Sequence, residues 1–364
     1  MSNITEEWKW QPLPPALDLE TPEVLKKALD AQRYLAELKG VSLLIPNRLI
    51  LLSTLPIQEA QDSSEIENIV TTSDALYKAG LQSEKKIDQA TKEVRRYFQA
   101  LIKGYEQVLE DGLLTTRHII SIQKVLEHND AGIRSVPGTK LKNAATKEVV
   151  FIPPQDKETI EAALINLEQY INDDSLSSVH PLIKMAVIHV QFESIHPFFD
   201  GNGRTGRIIN MLYLVQKGLL DLPVLYLSRF IVQNKAEYYR LLQRVRTHND
   251  WQSWLLYMLE GVAETSQQTI SVIKGIRELM MDYKHQIRST FPFYSQDLIN
   301  HLFKHPYSKI KYLEKELDVT RQTASKYLDD LAAAGLLEKV KQGRVNYYIN
   351  QALIDLLTQK PKSI

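Results

Sequence analysis

From Pro181 to Phe192 the chain reads Pro-Leu-Ile-Lys-Met-Ala-Val-Ile-His-Val-Gln-Phe, apolar on nearly every side of a helix. A helix without a polar face has nothing to turn toward water, so it must lie inside other elements. A second segment of the same character follows after a short loop, with Ile208, Ile209, Met211, Leu212 and Leu214 at helical spacing. Two buried helices joined by a polar loop predict a helical bundle packed round them, with the loop held at the bundle's end.

The loop is Ile195-His196-Pro197-Phe198-Phe199-Asp200-Gly201-Asn202-Gly203-Arg204-Thr205-Gly206-Arg207. Gly201 and Gly203 allow a tight main-chain turn whose N–H groups point inward, and the helix starting there adds the positive end of its dipole. Arg204 and Arg207, three apart, are placed to fork onto phosphate oxygens. Asp200 offers an oxygen to Mg²⁺, which commonly binds one carboxylate together with substrate phosphates. His196 can accept a proton from an attacking hydroxyl near neutral pH. Taken alone, Asp-Gly-Asn-Gly is a turn; with these neighbours it makes a phosphoryl- or nucleotidyl-transfer site.

The stretch resembles the signature of the Fic family: His, any, Phe, any, Asp or Glu, Gly, Asn, Gly, Arg, any, any, Arg. His196, Phe198, Asp200, Gly201, Asn202, Gly203, Arg204 and Arg207 fill every specified position, each matched by chance about one time in twenty. The resemblance implies an α-helical core that transfers the AMP moiety of ATP, with Mg²⁺, to a Tyr, Thr or Ser hydroxyl of a target protein or of the chain itself. By position it implies His196 as general base, Phe198 as the anchor of the loop and Asp200 as the Mg²⁺ ligand. Gly201, Asn202 and Gly203 become the cradle for the inner phosphates, and Arg204 and Arg207 the holders of the outer ones.

Upstream, Ser63-Ser-Glu-Ile-Glu67-Asn68 reads by itself as a capped turn with a short helical face of Ile66, Ile69 and Val70. It also resembles the inhibitory helix of self-inhibited Fic proteins: Ser or Thr, three of any residue, Glu, then Gly or Asn. That likeness implies Glu67 pairing with Arg207 and occupying the group meant for the γ-phosphate.

The remaining chain predicts mostly helix. Residues 1–20, with Trp8, Trp10, Pro12, Pro14 and Pro15, predict an extended arm docked on the body. Helices are expected from Thr21-Pro22, over 47–58, 84–109, 115–128 and 157–172, from Pro181 with Ser177 and Ser178 placed to cap it, and over 228–246 and 250–289. The segment 136–152 reads as a β-hairpin, in the place where the Fic family carries a flap that captures its target by strand addition. From Ser295, three helices and two strands resemble a winged helix-turn-helix, with Thr320 capping its recognition helix. If it contacts DNA, Arg321, Gln322, Lys326, Lys341 and Arg344 are the natural contacts.

These readings divide the 364 residues into an N-terminal helical region with the inhibitory helix (1–95), a catalytic core with a connector helix (96–289) and the winged helix (290–364). The chain has no Cys, which excludes disulfides and thiolate chemistry, and the formal net charge is +0, so any nucleic-acid contact must come from a local patch. No signal peptide or apolar run of about 18 residues is seen, predicting a cytoplasmic protein without a membrane partner. A homodimer is left open. The competing functions are transfer of another phosphorylated group or removal of AMP by the same site, and a nucleotide-sensing, DNA-binding regulator.

Overall fold

The computed structural model describes residues 7–81, 86–143, 146–342 and 345–358. After an extended arm come α1 (Pro22–Ser42), α2 (Arg48–Ile66), α3 (Ser73–Ala79), α4 (Gln89–Asp111) and α5 (Thr116–Glu127). A hairpin of β1 (Leu141–Lys142) and β2 (Val149–Phe151) leads to α6 (Lys157–Asn172), a 3-10 turn, α7 (Pro181–Ile195) and α8 (Asn202–Gln216). Then follow α9 (Leu227–Gln233), α10 (Lys235–His248) and the long α11 (Trp251–Thr290). The C-terminal part contains α12 (Gln296–Lys304), β3 (Tyr307–Ser308), α13 (Ile310–Leu317), α14 (Arg321–Ala333), β4 (Glu338–Gln342), β5 (Val345–Ile349) and α15 (Gln351–Thr358). No helix among the described residues is long and apolar enough to cross a membrane.

The apolar segment is the inner helix it must be: every residue of α7 from Leu182 to Ile195 is buried. α8 packs along it, α4 and α5 close one side, and α1 runs down α11 on the other. Trp254 on α11 is fully buried and donates its indole N–H to the Ala186 carbonyl at 3.0 Å. The helix starts are set by local chemistry. Thr21, Asp88, Thr115, Asp156 and Thr320 each accept an N–H of the turn they cap, as Ser, Thr and Asp do at this position. At α7 the cap is instead His180, whose ring Nδ1 accepts from the Leu182 N–H at 3.2 Å; Ser177 and Ser178 lie too far upstream.

Four elements differ from expectation. α2 is one helix running through Pro56 to Ile66, where a break and a separate short helix were expected. The polar residues that suggested the break, Glu59, Ser63 and Ser64, are all buried; Glu59 is bonded to Tyr97 and Ser228 and Ser63 to Arg207, partners distant in sequence. The expected helix over 228–246 is two, parted at Asn234. In the C-terminal part the sheet has three strands in the order β3-β5-β4, because the two-residue β3 joins the expected pair. α15 was not anticipated; Leu353, Ile354 and Leu357 bury one of its faces.

Glu59 links α2 to α9. Its carboxyl accepts the Ser228 N–H at 3.0 Å and the Tyr97 hydroxyl at 3.2 Å, and also pairs with the Ser228 hydroxyl. Burial pushes its pKa from 4.5 up to about 8, against the lowering effect of the Ser228 bonds. Between those two values the folded chain holds a proton that the unfolded chain has released, so stability falls as pH rises through that window. Glu59→Gln keeps the shape and cannot ionise. Relative to the unaltered chain it should gain stability from pH 5 to pH 8, by on the order of a few kcal/mol, read from denaturant unfolding of both proteins at each pH. Parallel pH profiles would count against this role.

Candidate active site

The loop after α7 begins on a residue that pays backbone strain: His196 takes the left-handed conformation, with φ of 49°, which a non-glycine side chain disfavours. Several contacts enforce it. The His196 N–H donates to the Phe192 carbonyl at 3.0 Å, and the Arg134 N–H to the Pro197 carbonyl at 2.9 Å. The Arg134 side chain is fully buried and donates to the carbonyls of His196 at 2.8 Å, Ile195 at 3.4 Å and Pro154. Phe198 is buried against Phe192, their ring centroids 6.3 Å apart.

Asn202 closes the turn from the far side. Its Oδ1 accepts the Phe198 N–H at 2.9 Å and its Nδ2 donates to the Phe198 carbonyl at 2.8 Å. The side chain therefore clamps the loop, and only the main chain at this position faces the cradle. Gly201, at φ 78°, caps α8, and a side chain there would run into Glu127.

Arg207 is buried, and its guanidinium is filled from α2. Nε donates to the Ser63 hydroxyl at 2.8 Å, while one terminal nitrogen donates to the Ser63 carbonyl at 2.9 Å and to Glu67 Oε1 at 2.8 Å. Burial opposes the charge, but the Glu67 carboxylate, with Tyr238 and Tyr97 adding to it, outweighs burial and holds the pKa above the usual arginine value. Glu67 caps the end of α2, Asn68 takes φ 61°, and the Ile69 N–H returns to the Ser64 carbonyl at 3.0 Å. That is a left-handed helix stop, which Gly or Asn accommodates best. The Glu67 carboxylate lies where a Cβ on Gly203 would be, so only glycine lets the ion pair close.

Arg204 does not share Arg207's surroundings. It donates to Glu127 Oε1 at 2.8 Å and lies 3.8 Å from Glu93, drawn toward α4 and α5 by those acids. Burial raises the Glu127 pKa despite this arginine. Asp200 is exposed, with Oδ1 accepting the Gly201 N–H at 2.7 Å.

Two openings flank Gly203. One, of roughly 420 Å³, is lined by His196, Phe199, Asp200, Gly203 and Arg204; the other, of roughly 720 Å³, by His196, Gly203, Arg207, Glu193 and Arg246. Glu67 borders both. Burial, with Arg246 and Arg134 nearby, pushes the His196 pKa down to about 3, so its ring is neutral at physiological pH and its Nδ1 has no partner. Burial likewise raises Glu193 to about 7 and lowers Arg246 to about 10. Arg246 stacks on Phe151 of β2, and Gln243 donates to the Val150 carbonyl at 2.9 Å. These contacts hold the hairpin over the larger opening. His189 is a core residue, bonded to Tyr238 and Asn210 and stacked on Trp254.

Sequence reasoning missed Arg134, Glu193, Gln243 and Arg246. Glu193 alone had a local signal, three residues before His196. Of the residues expected to contact DNA, Arg321, Gln322, Lys326 and Lys341 are exposed, and Arg344 lies outside the described residues.

Three family models match the chain in succession: Fic/DOC family N-terminal over residues 25–106, Fic/DOC family over 113–214, and protein adenylyltransferase SoFic-like, C-terminal domain, over 279–353. The chain belongs to the Fic family. Among curated relatives, protein adenylyltransferase fic-1 of Caenorhabditis briggsae is 27% identical over 159 residues, 43% of this chain and 30% of that protein. Protein adenylyltransferase Fic of Drosophila erecta is 30% identical over 131 residues, 36% of this chain and 24% of that protein. The chain thus matches less than a third of the length of either. A Fic family protein from Desulfovibrio desulfuricans shares the fold, with TM-score 0.58 and 18% identity over 93% of this chain and 98% of that one. Residues 134–508 of Fic-1 from Caenorhabditis elegans superpose with TM-score 0.53 and 20% identity over 70% of this chain and 74% of that one.

Asn202 yields a prediction that separates loop clamping from ligand contact. Asn202→Ala leaves the buried N–H and carbonyl of Phe198 without partners, at a cost of roughly 1–3 kcal/mol for each such group. The expected result is a clear loss of stability in denaturant unfolding with no nucleotide present. Unchanged stability would mean the side chain serves a ligand alone.

Proposed function

We propose that this Fic-family chain is a protein adenylyltransferase that transfers AMP from ATP to a hydroxyl side chain of a target protein or of itself, and that Glu67 holds it in a low-activity state. The observation that carries the proposal is the buried Arg207, whose guanidinium is engaged by Ser63 and Glu67 within the cleft that also holds a neutral His196. The adenylyltransferase relatives support the reaction type.

In the proposed reaction the target hydroxyl oxygen attacks the α-phosphorus of ATP, and the bond from that phosphorus to the bridging oxygen breaks, releasing pyrophosphate. His196 takes the hydroxyl proton. A pKa of about 3 makes the imidazole by itself a weak base, but a polyanionic triphosphate beside it favours the protonated form and moves the value toward neutrality. The main-chain N–H groups at the start of α8 receive the inner phosphates, and Arg204 and Arg207 the outer ones. Asp200, exposed and with one oxygen bonded only to the adjacent N–H, fits an oxygen-seeking Mg²⁺, which would offset phosphate charge. The hairpin edge beside the cleft receives the target segment as an added strand.

Glu67 inhibits by supplying a carboxylate where the terminal phosphate belongs. A hydrogen bond to a charged group contributes roughly 1.5–3 kcal/mol, so Glu67→Gly should raise self-modification on the order of tenfold to a hundredfold. His196→Ala should remove activity in both backgrounds. The measurement is incorporation of label from ATP with Mg²⁺: label from the α position only means adenylylation, whereas label from the γ position only means phosphorylation and overturns the reaction type. An unchanged rate in Glu67→Gly removes the inhibitory role.

We further infer that the residues after α11 form a winged-helix unit, keeping the division of the chain at about residues 95 and 290, and that its exposed Arg321, Gln322 and Lys326 form a contact surface on α14. Lys339 is already paired with Asp329, which weakens the basic face. Duplex DNA is one partner class for it. A salt-sensitive mobility shift lost in Arg321→Ala combined with Lys326→Ala supports DNA binding; no shift at low salt rejects it and leaves a protein contact.

A further inference from the structure

We propose that the C-terminal part carries a divalent transition-metal site, of the kind Zn²⁺ occupies, formed by His301, His305 and Glu316. His301 lies in the last turn of α12 and His305, four residues on, is its C-cap, the sequence spacing of paired histidines that recurs in helical zinc sites. Glu316 comes from α13. Its Oε2 lies 2.7 Å from His301 Nδ1 and its Oε1 2.9 Å from His305 Nε2. One ligand atom from each of the three residues lies within 4.8 Å of the others. Tetrahedral zinc, with bonds of about 2.0–2.2 Å, places its ligand atoms about 3.3 Å apart. Each ring nitrogen is therefore already within about half an ångström of that spacing from one oxygen of the carboxylate.

The surroundings are those of a ligating histidine. His301 is fully buried, and its other nitrogen, Nε2, meets the hydroxyl of buried Ser308 at 2.5 Å. With Nδ1 on a metal, Nε2 carries the proton and donates to Ser308, the outer contact that fixes the ring of a metal-bound histidine. Ser308 is itself fixed in β3, paired with Tyr348 of β5. On the opposite side His305 and Glu316 remain partly exposed, leaving an approach for the ion and a position for water. With no Cys in the chain, imidazole is the softest nitrogen or oxygen donor it offers, which selects Zn²⁺ and its neighbours over Mg²⁺ or Ca²⁺.

One residue opposes the ion. Lys304 donates to Glu316 Oε1 at 2.8 Å and must swing away when a cation binds. That distinguishes a metal site from a hydrogen-bonded network that merely joins α12 to α13: removing Lys304 weakens the network, yet strengthens the metal site. The site also reaches the main body, since the Lys304 carbonyl accepts the Ser53 hydroxyl of α2 at 3.0 Å.

The test uses the full chain, stripped with a chelator and titrated with Zn²⁺ alone, with bound metal counted by elemental analysis after dialysis and stability followed by thermal unfolding. The expected result is one Zn²⁺ per chain, a raised melting temperature, and no competition from Mg²⁺. His305→Gln alters a partly exposed ring and should abolish this binding while retaining the helical circular dichroism spectrum. Ser308→Ala should weaken affinity roughly tenfold to a hundredfold, and Lys304→Met should tighten it by up to roughly fivefold. No stoichiometric Zn²⁺, or binding that survives His305→Gln and so belongs to other histidines, overturns the proposal.

Discussion

A buried guanidinium must have its donors met, by carbonyls as at Arg134 or by a carboxylate, and the placement of Arg207 imposes that demand on much of this structure. An arginine inside a helical bundle keeps its charge, so its donors must be met or the fold bears an uncompensated ion. Here they are met by α2, with the hydroxyl and carbonyl of Ser63 and the carboxylate of Glu67. This requires α2 to lie against α8 along its polar positions. Gln58, Glu59, Ser63 and Ser64 are consequently inside, and Glu59 carries its own partners on α4 and α9 to remain there.

The loop from His196 to Asn202 is held by a separate set of contacts within the chain. Arg134 draws in the carbonyls around His196, Asn202 takes both polar groups of Phe198, and Phe198 is packed on Phe192. The left-handed His196 is thus over-determined, as a strained residue at a working site has to be. A ligand arriving here meets a cradle already formed, so little binding energy is spent on ordering it.

Local spacing made the loop legible: His196, Asp200, the glycines and both arginines stand within one short stretch, and the apolar run before it could only be an inner helix. Thr21, Thr115 and Thr320 likewise announced the helices they cap. What stayed hidden depends on partners far away in sequence. Nothing near Arg134 or Arg246 distinguishes them from surface arginines, and nothing near Arg204 shows that Glu93 and Glu127 engage it. The same blindness broke α2 at its polar residues, which look exposed until Tyr97, Ser228 and Arg207 are known to face them. β3 has two residues, too few for any alternation to appear.

The sixth position of the Ser63–Asn68 stretch explains how so short a motif brings a carboxylate to Arg207, far along the chain. Glu67 sits at the C-terminal end of α2, where the helix dipole disfavours negative charge, and its side chain is about a third exposed. Its only strong reason to be there is Arg207. Asn68, in the left-handed stop, ends the helix at the carboxylate, so that Glu67 lies just beyond a last turn whose Ser63, Ser64 and Ile66 are buried. Gly203 makes room on the opposite side, since any Cβ there would hold Glu67 off. A contact built on the last turn of one helix and the first turn of another can be exchanged for a phosphate at small structural cost, which is the condition for one arginine to serve both an internal carboxylate and a bound anion.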